Sequence, residues 1–295
     1  MNTATDHTIQ VGRSVPRLEG REKVTGRAEY IHNLRLPGML YGKIFRSTVA
    51  HARIRSIDVS AAAAVEGVHR VITADDIRTI VPDPYYGPVF RDQPVLAIDK
   101  VHHVGEPVAL VLAADPHIAE TAAQLIDVEY EELPAVFDEV EATTPSAAIV
   151  HDVLRPAGMF PDLKHLQGRR NTNLHLDFKL RRGDVDAAFA AADHVFEHTF
   201  HTRQVMHTPL EPLVSLAEST PSSVTIHTAS QMPSVARVFV AALLGWPENR
   251  VRIRTAFLGG GFGAKTYIKL EALVAIASLL ARRPVKISLT MEEQF

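Results

Sequence analysis

The densest group of residues able to do chemistry is Gly259-Gly260-Gly261-Phe262-Gly263-Ala264-Lys265-Thr266, between an alternating stretch, Val251 to Phe257, and an apolar one, Leu270 to Ala281. A strand, a glycine loop and a helix in that order can converge backbone N–H groups on an anion. A tight structural turn is the plain alternative, because glycines also stand where two backbones pack closely. Two nucleotide patterns fit in part. Gly259, Gly261 and Ala264 satisfy the dinucleotide fingerprint G-x-G-x-x-A, but its ribose-binding acid should close the next strand. Glu292 and Glu293 come late for that, after Leu289, Thr290 and Met291, and a dinucleotide fold expects further strands beyond them. Gly259, Lys265 and Thr266 fit the phosphate-loop pattern except at Ala264, where a methyl group obstructs the wrapping of a phosphate.

The elements that must hold this loop can be read from periodicity. Leu40 to Ser47 and Ala52 to Val59 alternate as strands, and Ser60 precedes a short alanine helix closed by Gly67. Val108 to Leu112 reads as a buried strand, Asp115 caps a helix through Leu125, and Ile126 to Tyr130 returns as a second strand, a strand-helix-strand unit. Thr143 to Arg170, broken by Pro and Gly, reads as a linker, with a domain boundary near residue 150. Asn173 to Phe178 and His194 to Thr202 alternate as strands around an alanine-rich helix opened by Gly183-Asp184. Strands follow at Val214 to Ala217, Val224 to Thr228, Val251 to Phe257 and Val285 to Leu289, with helices at Ser234 to Leu244 and Leu270 to Ala281.

Composition narrows the function. With 295 residues, 46% hydrophobic and 22% charged, the chain is long enough for two cores of moderate size. A net charge of -3 with both signs interspersed gives no field for a polyanion, so no nucleic-acid partner is expected. With no cysteine the chain can form no disulfide, thiolate zinc site or iron-sulfur cluster of its own, so electrons moving here must pass to another chain or domain. Met1 to Gln10 lacks the basic and apolar regions of a leader and no apolar run spans a bilayer, so a cytoplasmic protein with no membrane partner is expected. His102, His103, His198 and His201 have no partner acid at known ligand spacing and read as surface or capping residues.

A resemblance extends beyond the loop. Gly259 to Lys265 is similar to the G-G-G-F-G-G-K motif of the xanthine dehydrogenase and aldehyde oxidase family of molybdenum hydroxylases. Ser47 to Ile54, Val104 to Ala109, Gly183 to Phe189 and His207 to Pro212 also resemble family segments, in the family's order, from about Val11 to Phe295. The resemblance implies a mixed α/β (α+β) fold: an N-terminal tail (1–16), an α/β hammerhead domain (17–140), a linker (141–170) and an incomplete first molybdopterin-binding domain (171–295).

The family's cofactor is molybdopterin, with the cytosine dinucleotide as one of its forms, and the metal is held by the cofactor's dithiolene rather than by side chains. The resemblance assigns the cofactor contacts to Gln231 and to the loop residues Gly260, Gly261, Phe262, Gly263 and Ala264. Gln231 stands where a glutamine amide hydrogen-bonds an oxygen ligand of molybdenum, and an amide donates without bringing charge. The Phe262 ring would lie beside the metal, so Gln231 and Phe262 are expected as its neighbours and not its ligands. Taken alone, Gln231 reads as a solvated polar residue and Phe262 as a core aromatic.

The implied reaction is hydroxylation of an aldehyde or N-heterocycle with water as oxygen source. Electrons leave through an iron-sulfur subunit and an FAD subunit. A C-terminal half of the molybdopterin chain supplies the general-base glutamate, so no catalytic residue is expected in this chain. Glu211 reads as a structural carboxylate. Two positions depart from the motif: Ala264 replaces a glycine, and Thr266 stands where purine-oxidising members have glutamate, which disfavours a purine substrate. A non-catalytic scaffold remnant of the same fold, or a nucleotide-binding enzyme using Gly259 to Thr266, are the competing readings.

Overall fold

The computed structural model describes Gly12 and residues 14–295. The expected tail, residues 1–16, therefore lies mostly outside the described residues. In chain order the elements are α1 (Gly20–Val24), β1 (Leu40–Arg46), β2 (Ala52–Asp58), α2 (Ser60–Ala63), β3 (Val68–Ile72) and α3 (Ala74–Arg78). Then come β4 (Tyr85–Tyr86), β5 (Gln93–Pro94), β6 (Lys100–Val101), β7 (Pro107–Ala113), α4 (Pro116–Ala123) and β8 (Asp127–Glu132). After β9 (Val153–Leu154), β10 (Arg169–Arg170) and α5 (Val185–Ala191) follow β11 (Val214–Thr220), β12 (Ser223–Thr228) and α6 (Pro233–Leu244). The last are β13 (Val251–Arg254), α7 (Glu271–Ala281) and β14 (Val285–Ser288).

One seven-stranded sheet, in the order β13-β12-β11-β14-β1-β7-β3, runs through both halves of the chain. The seam is the parallel pair β1 and β14, with Leu40 opposite Val285 and Gly42 opposite Ile287. A Cβ on Gly42 would stand 2.8 Å from Ile287 Cγ1, so glycine allows the two halves to close at this point. The two cores that the length allows are therefore not independent of each other. The principal core takes Leu40, Ile44, Leu110 and Leu112 from the first half and Ile226, Phe239, Ile276 and Ile287 from the second. Smaller clusters lie under α4 and around β2.

β7 explains why its sequence is an unbroken apolar run. Leu110 and Leu112 point into the shared core, while Ala109, Val111 and Ala113 face α4 on the other side. The strand-helix-strand unit needs a correction. β7 lies in the large sheet between β1 and β3, whereas β8 pairs with β2 in a separate three-stranded sheet. Periodicity marks strands but not their neighbours.

The strands expected at Asn173 to Phe178 and His194 to Thr202 are absent: both stretches are unpaired backbone. Their apolar side chains, including Phe178, Phe196 and Phe200, are exposed, because alternation makes a strand only where a neighbouring strand takes up the hydrogen bonds. β13 also ends three residues early, at Arg254 rather than Phe257, where its pairing with β12 stops at His227 opposite Arg254.

α7 is apolar all round and nearly wholly buried, packed on β11 and β14 beside α6. No helix among the described residues is long and apolar enough to cross a membrane.

Candidate functional site

Sheet topology assembles the site. β12 is antiparallel to β11 and parallel to β13, so the start of β11, the end of β12 and the end of β13 share one edge. That edge brings together His207 to Pro212 before β11, Ala229 to Met232 after β12 and the glycine loop after β13.

Two side chains grip the loop. The amide oxygen of Gln231 accepts the N–H of Gly263 at 3.1 Å and of Lys265 at 3.3 Å, and the Gln231 N–H donates to the Lys265 carbonyl at 2.9 Å. At the base of the loop, Glu211 Oε2 accepts the Gly259 N–H at 2.9 Å and the Lys265 ammonium at 2.8 Å. Lys265 Nζ also donates to the Glu211 carbonyl at 2.8 Å, and the Glu211 N–H donates to the Gly259 carbonyl at 3.1 Å. Lys265 and Glu211 are only 2% and 7% exposed.

Close packing explains the glycines. A Cβ on Gly259 would meet Glu211 Cβ at 2.5 Å, and one on Gly261 would meet Gln231 Cδ and Oε1 at 2.6 Å. Gly260 and Gly263 adopt φ of 101° and 102°, open to glycine and costly for other residues. Phe262 is itself left-handed, at φ 52°, and 73% exposed, which corrects the reading of its ring as a core aromatic. A non-glycine residue in that region costs about 1–2 kcal/mol, so the loop stores strain at its apex.

The donors left over define what the site can hold. The N–H groups of Gly260, Gly261 and Phe262 and the amide NH2 of Gln231 donate to no acceptor among the described residues. These are neutral donors, suited to a ligand rich in oxygen or nitrogen acceptors. Gly263, Ala264 and His207 also line a cavity of about 440 Å³ whose far wall includes Arg46 and His103. Arg46 donates to the Gly105 carbonyl at 2.8 Å, and burial lowers the pKa of its guanidinium.

The nucleotide readings fail on this geometry. The phosphate-loop lysine would have to reach a ligand, but Lys265 is buried against Glu211. α7 begins at Glu271, five residues beyond Thr266, and the Glu271 carboxylate already accepts the Lys269 N–H and the Thr228 hydroxyl. A carboxylate, Glu271, thus stands in the first turn of the helix, where a nucleotide phosphate would have to approach.

The four singled-out histidines do not converge. Of these histidines, read from sequence as surface or capping residues, His103, His198 and His201 are exposed, while His102 is half-buried, with Nδ1 3.0 Å from Glu106 Oε1. No group of three or more metal-ligating side chains occurs among the described residues. Sequence reasoning missed the role of Lys265 as an anchor. The available signal was Glu211 between Pro209 and Pro212, a carboxylate in a rigid apolar setting that requires a cation.

Known proteins share this fold. Residues 25–134 match the family model of the aldehyde oxidase and xanthine dehydrogenase a/b hammerhead domain, and residues 166–295 match the molybdopterin cofactor-binding domain. The nicotinate dehydrogenase large molybdopterin subunit of Eubacterium barkeri is 33% identical over 284 residues, which span 96% of this chain and 62% of that protein. The carbon monoxide dehydrogenase large chain of Hydrogenophaga pseudoflava is 37% identical over 272 residues, 89% of this chain and 33% of that one. Among solved structures, quinoline 2-oxidoreductase from Pseudomonas putida 86 superposes with a TM-score of 0.82 at 34% identity, covering 96% of this chain and 35% of that chain.

A hammerhead domain followed by a molybdopterin-binding domain is the fold of molybdenum hydroxylases, and it is the fold found here. The chain belongs to the xanthine dehydrogenase and aldehyde oxidase family, and it spans less than two thirds of the length of each of these relatives.

Proposed function

We propose that this chain binds molybdopterin through Gln231 and the loop Gly260, Gly261, Phe262, Gly263 and Ala264, as part of an oxidoreductase that hydroxylates an aldehyde or N-heterocycle with water as the oxygen source. The observation that carries the reading is the run of three unpaired loop amides beside the unpaired NH2 of Gln231. These neutral donors fit the acceptor-rich edge of a pterin and the oxygen ligands of its metal. When bound, the cofactor supplies the redox chemistry and activates the water oxygen.

The chain's own residues position and do not react. With its oxygen tied to Gly263 and Lys265, Gln231 can present only its NH2 outward. Lys265, neutralised by Glu211, adds no free charge. Thr266, in place of an acid, supports a non-purine substrate. We read the functional halves as 17–140 and 171–295, joined by a 141–170 linker, with the matched spans 25–134 and 166–295 in support.

The remaining parts are supplied by polypeptide equivalent to the rest of the relatives' large chain, which carries the general-base glutamate, and by iron-sulfur and FAD partners in the cytoplasm. The exposed apolar residues between Leu174 and Leu210 support such a covering chain. The test is to purify the assembly from its host through a tag on this chain and to measure molybdenum and released pterin. About one of each per chain is expected, in the cytosine dinucleotide form or without it, together with iron and flavin. An assembly that contains neither molybdenum nor pterin overturns the reading.

A further inference from the structure

We infer that the buried pair Glu211 and Lys265 is the device that sets the loop for its ligand, so that Glu211 is a positioning residue acting through Gly259 and Lys265. The inference rests on the molybdopterin reading above. One carboxylate oxygen receives both Gly259 N–H and Lys265 Nζ, and so pins two residues six positions apart at the two ends of the loop. The same ammonium reaches the Glu211 carbonyl, and Glu211 N–H bonds the Gly259 carbonyl, which fixes the loop's base to the His207 to Pro212 segment.

Only Gly260, Gly261 and Phe262 are left between the Glu211 staple and the Gln231 contacts, and these three carry the unpaired N–H groups. Left-handed backbone at the non-glycine Phe262, between the positive-φ glycines Gly260 and Gly263, persists only where its surroundings over-determine it. The staple provides that constraint. Its second oxygen, Glu211 Oε1, is buried with no partner among the described residues. A carboxylate kept dry at the cost of an unmatched oxygen exceeds what holding two strands together requires.

Three variants, each in the complete assembly, separate positioning from folding. Glu211→Asp keeps the charge and withdraws the carboxylate by one methylene. Glu211→Gln leaves Lys265 buried without a counter-charge, and Glu211→Gln combined with Lys265→Met removes both charges at similar volume. The readouts are melting temperature, backbone hydrogen exchange over residues 257–266, and molybdenum and pterin per chain.

Glu211→Asp and the double variant are expected to melt close to the wild type, to exchange at least tenfold faster in the loop with α7 and β11 unchanged, and to retain less than a third of the pterin. Glu211→Gln is expected to melt lower than both. Wild-type loop exchange and full pterin content in Glu211→Asp, or in a stable double variant, would overturn the inference. A wild-type assembly without pterin defeats the cofactor reading instead, and loop exchange in Glu211→Asp still decides whether the pair sets the loop.

Discussion

Gln231 and Gly263 meet through a 3.1 Å hydrogen bond in which the side-chain oxygen, not the nitrogen, faces the loop. Gln231→Glu keeps an acceptor for Gly263 and Lys265 but loses the outward NH2 and adds charge. A stable protein is expected, melting within a few degrees of the wild type, with molybdenum and pterin content reduced several-fold. Gln231→Ala removes the acceptor as well, and should in addition speed hydrogen exchange at Gly263 and Lys265. Full cofactor content in Gln231→Glu would show that the outward NH2 makes no contact that matters.

Steric fit at Gly261 makes a sharper demand than backbone freedom at Gly263. A methyl at Gly261 would collide with the Gln231 amide at 2.6 Å, whereas a methyl at Gly263 has no heavy atom nearer than 3.5 Å. Gly261→Ala is expected to cost about 1–3 kcal/mol through overpacking and to turn the Gln231 amide away from the loop. Gly263→Ala should cost about 1–2 kcal/mol from its left-handed φ alone, with Gln231 in place. Thermal melts give the stabilities, and NMR of the Gln231 side-chain amide reports its orientation. An undisturbed amide in Gly261→Ala would mean that the loop yields instead.

Phe262 pairs a strained backbone with an exposed ring. Replacement by glycine relieves about 1–2 kcal/mol of left-handed strain, offset by about 0.4–1 kcal/mol of added chain entropy in the unfolded state. Phe262→Gly is therefore expected to be as stable as the wild type, or more stable by up to about 1 kcal/mol, and to lose activity in the complete assembly. A loss of more than about 1 kcal/mol in a denaturant melt would mean that the ring packs as a core residue.

Local patterning made α4, α6, α7 and the strands around them legible, because each carries its own cap or an unbroken apolar face: Asp115 accepts the His117 N–H before α4, and Gly245 closes α6 in the left-handed region. The loop stood out as a candidate site because glycines cluster there. What periodicity could not supply was the identity of neighbours. Asn173 to Phe178 alternates as well as β12 does, but only β12 lies between two strands. The same limit hid the parallel pairing of β1 with β14, more than 240 residues apart. Lys265 was misleading in isolation: a lysine after a glycine loop suggests a phosphate ligand, and only the Glu211 carboxylate 54 positions upstream turns it into an anchor.

His151 offers a test of how the linker is attached to the first half. Its ring stacks on His102 at 4.5 Å, and the His102 ring is hydrogen-bonded to the buried Glu106. Burial first, and then the neighbouring His102, push the His151 pKa down from 6.5 to about 4, opposed by Glu106 and reinforced by Lys100 and His175. The folded state therefore binds fewer protons here than the unfolded chain between about pH 4 and 6.5, and the contribution of His151 to stability rises with pH across that window. The contribution is fully present above pH 6.5 and is lost as pH falls toward 4. His151→Phe keeps a stacking ring without a titratable nitrogen, so its melting temperature should fall less than that of the wild type between pH 6.5 and 4.5. Parallel melting curves for the two proteins across that range would show that His151 is protonated without cost, and that the stack does not fasten the linker.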